Sequence, residues 1–112
     1  MEAEALTGTA LARALGQAGE DAVGISVPKT AIEIPGSGAI RFPDALTDTT
    51  LTEVKNVGPL SFTQQFRDFV TYSLENSLEF QLYVRPSTQL SGPLQQAIAN
   101  GQITLKTIPG AP

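Results

Sequence analysis

The chain has 112 residues, no cysteine, no histidine and a formal net charge of −4. This length accommodates one domain with a modest hydrophobic core. The absence of cysteine excludes disulfides and thiolate chemistry, and the absence of histidine excludes histidine bases, the usual serine triads and most zinc sites. Hydrolytic chemistry in this chain therefore has to use carboxylates, lysine and an oxygen-ligated metal ion such as Mg²⁺ or Mn²⁺.

The N-terminal half is predicted to contain one helix and three strands. Apolar spacing predicts an amphipathic helix from about Ala3 to Val23, whose buried face comprises Leu11, Leu15, Ala18 and Ala22. Alternating residues predict strands over 30–34, 39–46 and 51–56. Pro43 lies inside the second of these and indicates an edge position, a bulge or a bend. The acidic first residues do not resemble a signal peptide, and no apolar run approaches membrane-spanning length.

The C-terminal half is predicted to alternate helices and strands. Ser61, with Gln64 three residues later, fits a capping box at the start of a helix that runs to Asn76. Its core face comprises Phe62, Phe66, Phe69 and Val70. A strand over 80–85, a helix over 91–100 and a strand over 102–108 follow. The order α-β-β-β-α-β-α-β predicts an α/β (α+β) fold with a mixed sheet flanked by helices.

Two carboxylates and a lysine form the most informative pattern. Alternation on a strand places Glu53 and Lys55 on one face. If the chain folds back as a hairpin centred between Asp48 and Thr49, facing residue numbers sum to 97, and Asp44 then lies opposite Glu53. Two carboxylates this close suit one hard divalent cation. The alternative interpretation is an exposed hairpin with a solvated carboxylate at 44 and a surface ion pair between 53 and 55.

The motif resembles the catalytic core of the PD-(D/E)XK superfamily, the restriction-endonuclease-like nucleases. The matching segments are Arg41-Phe42-Pro43-Asp44 and Thr52-Glu53-Val54-Lys55-Asn56. The predicted α-β-β-β-α-β order agrees with the core that these nucleases share, here extended by a C-terminal helix and strand. The resemblance therefore implies a restriction-endonuclease-like fold.

One branch of that superfamily is similar over nearly the whole chain, from Gly16 to Pro109: the nuclease domains at the C-terminal tips of bacterial polymorphic toxins, including Rhs-type proteins. The similar segments are Gly19-Glu20-Asp21-Ala22-Val23, Glu53-Val54-Lys55-Asn56-Val57, Leu60 to Phe69, Leu82-Tyr83-Val84-Arg85 and Leu90-Ser91-Gly92-Pro93-Leu94. The resemblance implies that residues 1–112 are a single toxin nuclease domain, the C-terminal tip of a larger protein.

The resemblance also implies roles for individual residues. Asp44 and Glu53 would ligate the metal with the backbone carbonyl of Val54, and Lys55 would position and activate the attacking water. Because Glu53 is expected to face solvent, its replacement by alanine is expected to cost little stability. Glu20 matches a first-helix glutamate that supports the metal site. An ideal helix, however, places Glu20 opposite the predicted apolar face and favours a solvated residue.

Further residues have roles with open alternatives. Gln65 matches a second-helix glutamine near the site. Arg85, Arg67 and Arg41 are candidate phosphate contacts, the alternatives being a strand-end salt bridge for Arg85 and a solvated helical face for Arg67. The acidic balance argues against a generic nucleic-acid binder. Four basic residues expected near the site, the three arginines and Lys55, reduce this objection. No functional signal attaches to Lys29 or Lys106.

The function that follows is a Mg²⁺- or Mn²⁺-dependent endonuclease toxin, with DNA favoured over RNA, used in interbacterial competition. Such a domain would be secreted or translocated within a larger toxin, act in the cytoplasm of the target cell and be blocked by a cognate immunity protein. Two alternatives stay open: a non-catalytic protein-binding module on the same fold, which the acidic balance favours, and a housekeeping repair or junction-resolving nuclease.

Overall fold

A computed structural model describes residues 8–112 and contains the three predicted helices and a strand in each of the five predicted strand regions, but one predicted strand is divided and a short strand pair is added. In chain order the elements are α1 (Gly8–Val23), β1 (Ile32–Glu33), β2 (Ile40–Arg41), β3 (Ala45–Leu46), β4 (Thr50–Lys55), β5 (Pro59–Leu60), α2 (Gln64–Glu75), β6 (Glu79–Val84), β7 (Gln89–Leu90), α3 (Gly92–Ala99) and β8 (Thr104–Thr107). The predicted first turns of the N-terminal helix, residues 3–7, lie outside the described residues. Within 8–112, no helix combines the length and apolarity needed to cross a membrane.

A four-stranded mixed sheet, in the order β3-β4-β6-β8, forms the centre of the fold. Strand β3 runs antiparallel to β4, with Ala45 opposite Thr52 and Leu46 opposite Leu51. The residue numbers of both pairs sum to 97, so the register predicted from the hairpin is confirmed. Strands β4, β6 and β8 are parallel to one another, as expected for strands that are joined through helices.

The hydrophobic core lies between one face of this sheet and helices α2 and α3. Phe80 of β6 meets Phe66 and Phe69 of α2 edge to face, with ring centroids 6.1 and 5.7 Å apart. All three rings are buried, and aromatic pairs in this geometry contribute about 0.5–1.5 kcal/mol beyond the burial of their area. The apolar face predicted for the second helix is therefore confirmed, although Phe62 at its start is only half-buried.

The single strand predicted over 39–46 is wrong. Strand β2 pairs with β1 in a separate two-stranded sheet, whereas β3 belongs to the main sheet. The break falls around Pro43, which has no N–H to donate and a fixed φ, so a bend replaces the ladder there. This bend sets Asp44 beside the carboxyl end of β4, where Glu53 lies.

The predicted capping box at Ser61 is also wrong. The N-cap of α2 is Thr63, whose Oγ1 accepts a hydrogen bond from the N–H of Phe66 at 3.3 Å. The chain cannot turn into a helix earlier because β5 pairs in parallel with β7, and the Leu60 carbonyl accepts the N–H of Ser91 at 3.0 Å. This short strand pair was not predicted. Ser91 in turn caps α3, with a proline in the first turn as predicted.

Helix α1 packs against β4 through a glycine, and the predicted apolar stripe is wrong. Leu11 is 40% exposed and both Ala18 and Ala22 are exposed. The buried residue of α1 is Gly19. A Cβ atom at this position would lie 3.0 Å from the Cβ of Asn56 and 3.1 Å from Cγ1 of Val54. Close approach of the backbone, rather than an apolar stripe, therefore determines how this helix sits on the sheet.

Replacing Gly19 with leucine is expected to destabilise the protein by about 1–3 kcal/mol, because the side chain has to displace α1 from β4. Gly16 lies on the same helix and has open space around its Cβ position, so Gly16→Leu serves as the matched control. Urea unfolding of both variants tests this. Equal stabilities would contradict the close packing.

Candidate active site

The two carboxylates of the predicted motif are interlocked through backbone N–H groups. Oδ2 of Asp44 accepts the N–H of Val54 at 2.8 Å, and Oε1 of Glu53 accepts the N–H of Asp44 at 3.1 Å. Asp44 is 7% exposed and Glu53 is 3% exposed. The bend at Pro43 and the hairpin register thus produce a buried carboxylate pair. The alternative of solvated surface side chains is wrong.

The electrostatic environment of Glu53 is unfavourable for its ionised form. Burial, and next the negative charge of Asp44, raise the pKa of Glu53 to about 8, although Lys55 and the Asp44 N–H partly oppose the shift. The expectation that Glu53 faces solvent is wrong, because β4 is covered on both faces and Glu53 lies beside Leu82 of β6. A further positive charge that binds nearby would therefore stabilise the ionised form of Glu53.

Lys55 follows Glu53 on the same face of β4. Its Nζ lies 3.4 Å from Oε2 of Glu53 and 5.9 Å from the centroid of the Phe66 ring. The side chain of Lys55 is 30% exposed, compared with 4% for Glu53. The ammonium group therefore lies at the edge between the buried carboxylates and the surface, where it can reach both a bound water and a negatively charged ligand.

The carboxylate pair opens into a cavity of about 220 Å³ between α1 and the carboxyl end of β4. Its walls are Ala12, Gly16, Glu20, Asp44, Glu53, Val54, Lys55, Asn56 and Val57. Two of the three wall residues from α1 are small, so the helix leaves room above the strand. A small anion or one phosphate group with its water molecules fits a space of this size.

Glu20 lies in the cavity wall, which the ideal helical projection did not predict. The ideal helical projection predicts that Leu11 and Leu15 pack against the sheet, whereas α1 in fact packs on β4 through Gly19. The neighbouring position, Glu20, is therefore turned towards the carboxylate pair, with its side chain 21% exposed. This brings a third carboxylate to the cavity.

Lys29 contacts the site, and the sequence analysis had assigned it no role. Its Nζ donates to Oε1 of Glu20 at 3.2 Å and also to Oδ1 of Asp44. Burial lowers the pKa of Lys29, but the hydrogen bonds and charges of Asp44 and then Glu20 outweigh this and raise the pKa above its usual value. Lys29 lies in the irregular segment between α1 and β1, where no spacing rule predicts its position.

Two of the predicted arginines are engaged away from the cavity. Nε of Arg41 donates to Oδ2 of Asp68 at 2.9 Å, which pairs the guanidinium with a buried carboxylate. The guanidinium of Arg67 lies 4.5 Å from the centroid of the Phe62 ring. Neither residue lines the cavity, and neither does Gln65 on α2. Of the four basic residues expected near the site, only Lys55 is part of its wall.

Arg85, the remaining one of the four basic residues expected near the site, directly follows β6 and donates hydrogen bonds to Asn56. Its Nε donates to Oδ1 of Asn56 at 2.6 Å and its Nη2 to the Asn56 carbonyl at 3.1 Å. Nδ2 of Asn56 donates to the carbonyl of Leu15 at 2.8 Å. Asn56, which is part of the cavity wall, therefore links the segments of α1, β4 and β6 through hydrogen bonds. In the described residues, Arg85 makes these hydrogen bonds in place of the strand-end salt bridge that was its alternative interpretation.

The donor set of the cavity suits a hard divalent cation. Within residues 8–112, no three Asp, Glu, His or Cys side chains are arranged as a preformed metal cluster. Mg²⁺ does not require one, because it commonly uses one or two carboxylates and keeps several water molecules. Asp44 and Glu53 supply such a pair, and the ammonium of Lys29 already places a positive charge against Asp44. The residues present therefore fit the ion.

Fold and site together define a restriction-endonuclease-like domain: a mixed sheet flanked by helices, with two carboxylates and a lysine at the carboxyl end of a central strand. The sequence profile of one family, Restriction endonuclease fold toxin 7, matches residues 16–94. The chain belongs to this family of restriction-endonuclease-fold toxins, and this membership indicates a nuclease toxin. No curated protein and no solved structure matches the chain.

Proposed function

We propose that this domain is a metal-dependent endonuclease toxin that hydrolyses phosphodiester bonds of DNA in interbacterial competition. The observation that carries the proposal is the interlocked pair of Asp44 and Glu53 beside Lys55, in a cavity large enough for one phosphate group. Family membership supports the toxin over a housekeeping repair nuclease. The buried, mutually repelling carboxylates support catalysis over a protein-binding module.

In this proposal, Asp44, Glu53 and the backbone carbonyl of Val54 hold one Mg²⁺ or Mn²⁺ ion. When bound, the ion supplies positive charge that neutralises the phosphate and the leaving oxygen. The N–H groups of Val54 and Asp44 keep the two carboxylates in place, so their oxygens need little rearrangement when the ligand binds. Glu20 supports the same site from α1.

Lys55 has the role of orienting the attacking water and stabilising the charge of the transition state. Water attacks phosphorus in line and the bond from phosphorus to the 3′ oxygen breaks. The water proton passes to solvent, and the 3′ oxygen takes up a proton from solvent to leave as a hydroxyl group. The Nζ of Lys55 itself lies over the ring of Phe66, 5.9 Å from its centroid, which limits the positions that the ammonium can take. Gln65 is proposed to assist from α2, and Arg85, Arg67 and Arg41 to contact neighbouring phosphates.

Family membership supports the proposals about where the reaction takes place. We place a single domain spanning residues 1–112 in a larger toxin that is secreted or translocated and acts in the cytoplasm of a target cell. A producer of such an enzyme needs a cognate immunity protein that blocks the cavity. The net charge of −4 makes long-range attraction of a polyanion weak, so substrate binding is expected to depend on the metal and on local contacts.

Replacing Lys55 with alanine is expected to lower the cleavage rate by about 10²–10³-fold, since removal of one group that stabilises the charge of the transition state costs this much. The assay offers plasmid DNA and, separately, total RNA to the purified domain in Mg²⁺ or in EDTA. Lys106→Ala is the control, because it removes the same charge from exposed strand β8. Metal-dependent loss of DNA, and not of RNA, is the expected result.

A folded domain that cleaves neither substrate would overturn the proposal in favour of the binding module. Cleavage of RNA alone would overturn the choice of DNA and leave the nuclease in place. Toxicity on cytoplasmic expression that Lys55→Ala relieves is expected for a toxin and not for a housekeeping enzyme.

A further inference from the structure

The ammonium group of Lys29 is held against two carboxylates of the cavity. It contacts Oδ1 of Asp44 and lies 3.2 Å from Oε1 of Glu20. These two residues come from different parts of the chain, since Glu20 is on α1 and Asp44 lies in the bend directly before β3. Lys29 is therefore the link that joins the helix carboxylate to the strand carboxylate in the described residues.

The charges of the cavity show what this link does. Among residues 8–112, three carboxylates line the cavity, from Glu20, Asp44 and Glu53, and the ammonium groups of Lys29 and Lys55 contact them. Nζ of Lys55 lies 3.4 Å from Oε2 of Glu53. Lys29 pairs with the other two carboxylates, those of Glu20 and Asp44. Because Lys29 contacts Oδ1 of Asp44 and Oε1 of Glu20, a metal ion bound through these carboxylates would compete with its ammonium for the same oxygen donors.

The position of Lys29 also allows its ammonium group to move away from Asp44 and Glu20. It lies in the segment between α1 and β1, where residues 26–31 are all exposed, and its own side chain is 45% exposed. A lysine stem has four rotatable bonds and its ammonium is readily hydrated, so retreat into solvent needs no rearrangement of the fold. Asp44, by contrast, stays anchored by the N–H of Val54.

We propose that Lys29 is the resident counter-ion of this site and that a divalent cation binds by displacing its ammonium from Asp44 and Glu20. The proposal rests on the metal site described under the proposed function. Its consequence is that Lys29 holds metal affinity down while it compensates the carboxylates in the metal-free protein. The domain can thus fold without the ion and take it up later.

The test measures Mg²⁺ affinity by titration calorimetry at pH 8.5 for the wild type and three variants. Lys29→Met removes the competing charge at nearly constant volume and is expected to tighten Mg²⁺ binding about tenfold or more, because the ion no longer has to displace an ammonium group from Asp44 and Glu20. Lys29→Arg keeps a cation and is expected to stay close to the wild type. Lys106→Met makes the same change in net charge away from the cavity and is expected to have little effect.

A second measurement needs no bound metal. In EDTA, Lys29→Met is expected to unfold at a lower temperature than Lys106→Met, because Glu20 and Asp44 lose their counter-ion. Saturating Mg²⁺ is expected to raise the unfolding temperature of Lys29→Met more than that of the wild type, since tighter binding to the folded state stabilises it more.

The outcomes separate this proposal from the proposed function. Equal Mg²⁺ affinities in the wild type and Lys29→Met would overturn the displacement and leave the metal site intact. Equal unfolding temperatures of Lys29→Met and Lys106→Met in EDTA would overturn the counter-ion role. Absence of Mg²⁺ binding in every variant would overturn the metal site itself and the displacement with it.

Discussion

Replacing Glu53 with glutamine is expected to lower the cleavage rate by about 10³-fold or more, because the change removes one of two carboxylates that hold the ion. Glutamine has the same shape and keeps an oxygen that can accept the N–H of Asp44, as Oε1 of Glu53 does at 3.1 Å. The loss of activity therefore reports on the charge and not on a collapsed site. Initial rates on plasmid DNA in saturating Mg²⁺ measure it.

The same variant is expected to be more stable than the wild type when no metal is bound. The pKa of Glu53 is raised to about 8 in the folded protein, so the folded state binds more protons than the unfolded state as pH rises from the ordinary glutamate value to about 8. The contribution of Glu53 to stability is therefore lost across this range. Above pH 8 the glutamine variant is expected to exceed the wild type by about 2–4 kcal/mol.

Urea unfolding in EDTA at several pH values measures this difference, which should be small near pH 4.5 and largest above pH 8. A catalytic loss caused by general unfolding would appear as a lower stability at every pH. Full activity of Glu53→Gln would contradict the assignment of Glu53. A constant stability difference across the range would contradict the burial of a neutral glutamic acid in the metal-free protein.

Metal affinity is expected to rise with pH. A carboxyl group has to lose its proton before it binds a metal ion. Because the pKa of Glu53 is about 8, Mg²⁺ affinity is expected to rise about tenfold per pH unit between pH 6 and pH 8 and then to level off. Calorimetry across this range measures the slope, and binding is expected to release close to one proton per ion at the low end.

Glu53→Gln is the control for this slope, since it has no proton to lose at the position. Its binding of Mg²⁺ is expected to be weak and nearly independent of pH. An affinity of the wild-type protein that does not change from pH 6 to pH 8 would contradict the raised pKa of Glu53. A slope that persists in the glutamine variant would assign the proton to another group.

The part of the site that could be predicted from the sequence depends on local geometry. Side chains alternate along a strand, so Glu53 and Lys55 had to share a face. Hairpin arithmetic then fixed the partner of Glu53, and the observed pairs Ala45–Thr52 and Leu46–Leu51 have the predicted register. The apolar helix face that includes Phe66 could also be predicted, because apolar residues with a period of 3.6 mark one face of a helix.

The parts that could not be predicted depend on contacts between distant segments. Burial of Glu53 follows from β6 and the helices that cover β4, which no property of residues 50–55 reveals. Helix α1 sits on Gly19, where a missing side chain decides the packing and an apolar pattern does not. Because α1 packs through Gly19, Glu20 lines the cavity, and Lys29 from an irregular segment donates a hydrogen bond to Glu20.

The boundaries that were wrong have a common cause. Pro43 divided one predicted strand into two that belong to different sheets, and pairing of Leu60 with β7 delayed the second helix to Gln64. In both cases a tertiary hydrogen-bond pattern competed with a plausible local signal and determined the result. Local signals specify which element forms, and neighbouring strands determine where it ends.

The central claim is that this domain hydrolyses nucleic acid with a divalent ion held by Asp44 and Glu53. The most direct measurement follows plasmid DNA with the purified domain in Mg²⁺, then after EDTA is added, then after excess Mg²⁺ is restored. We expect cleavage that stops with EDTA, resumes with Mg²⁺ and is absent throughout in Glu53→Gln. Cleavage that continues in EDTA, or that the variant retains, would contradict the claim.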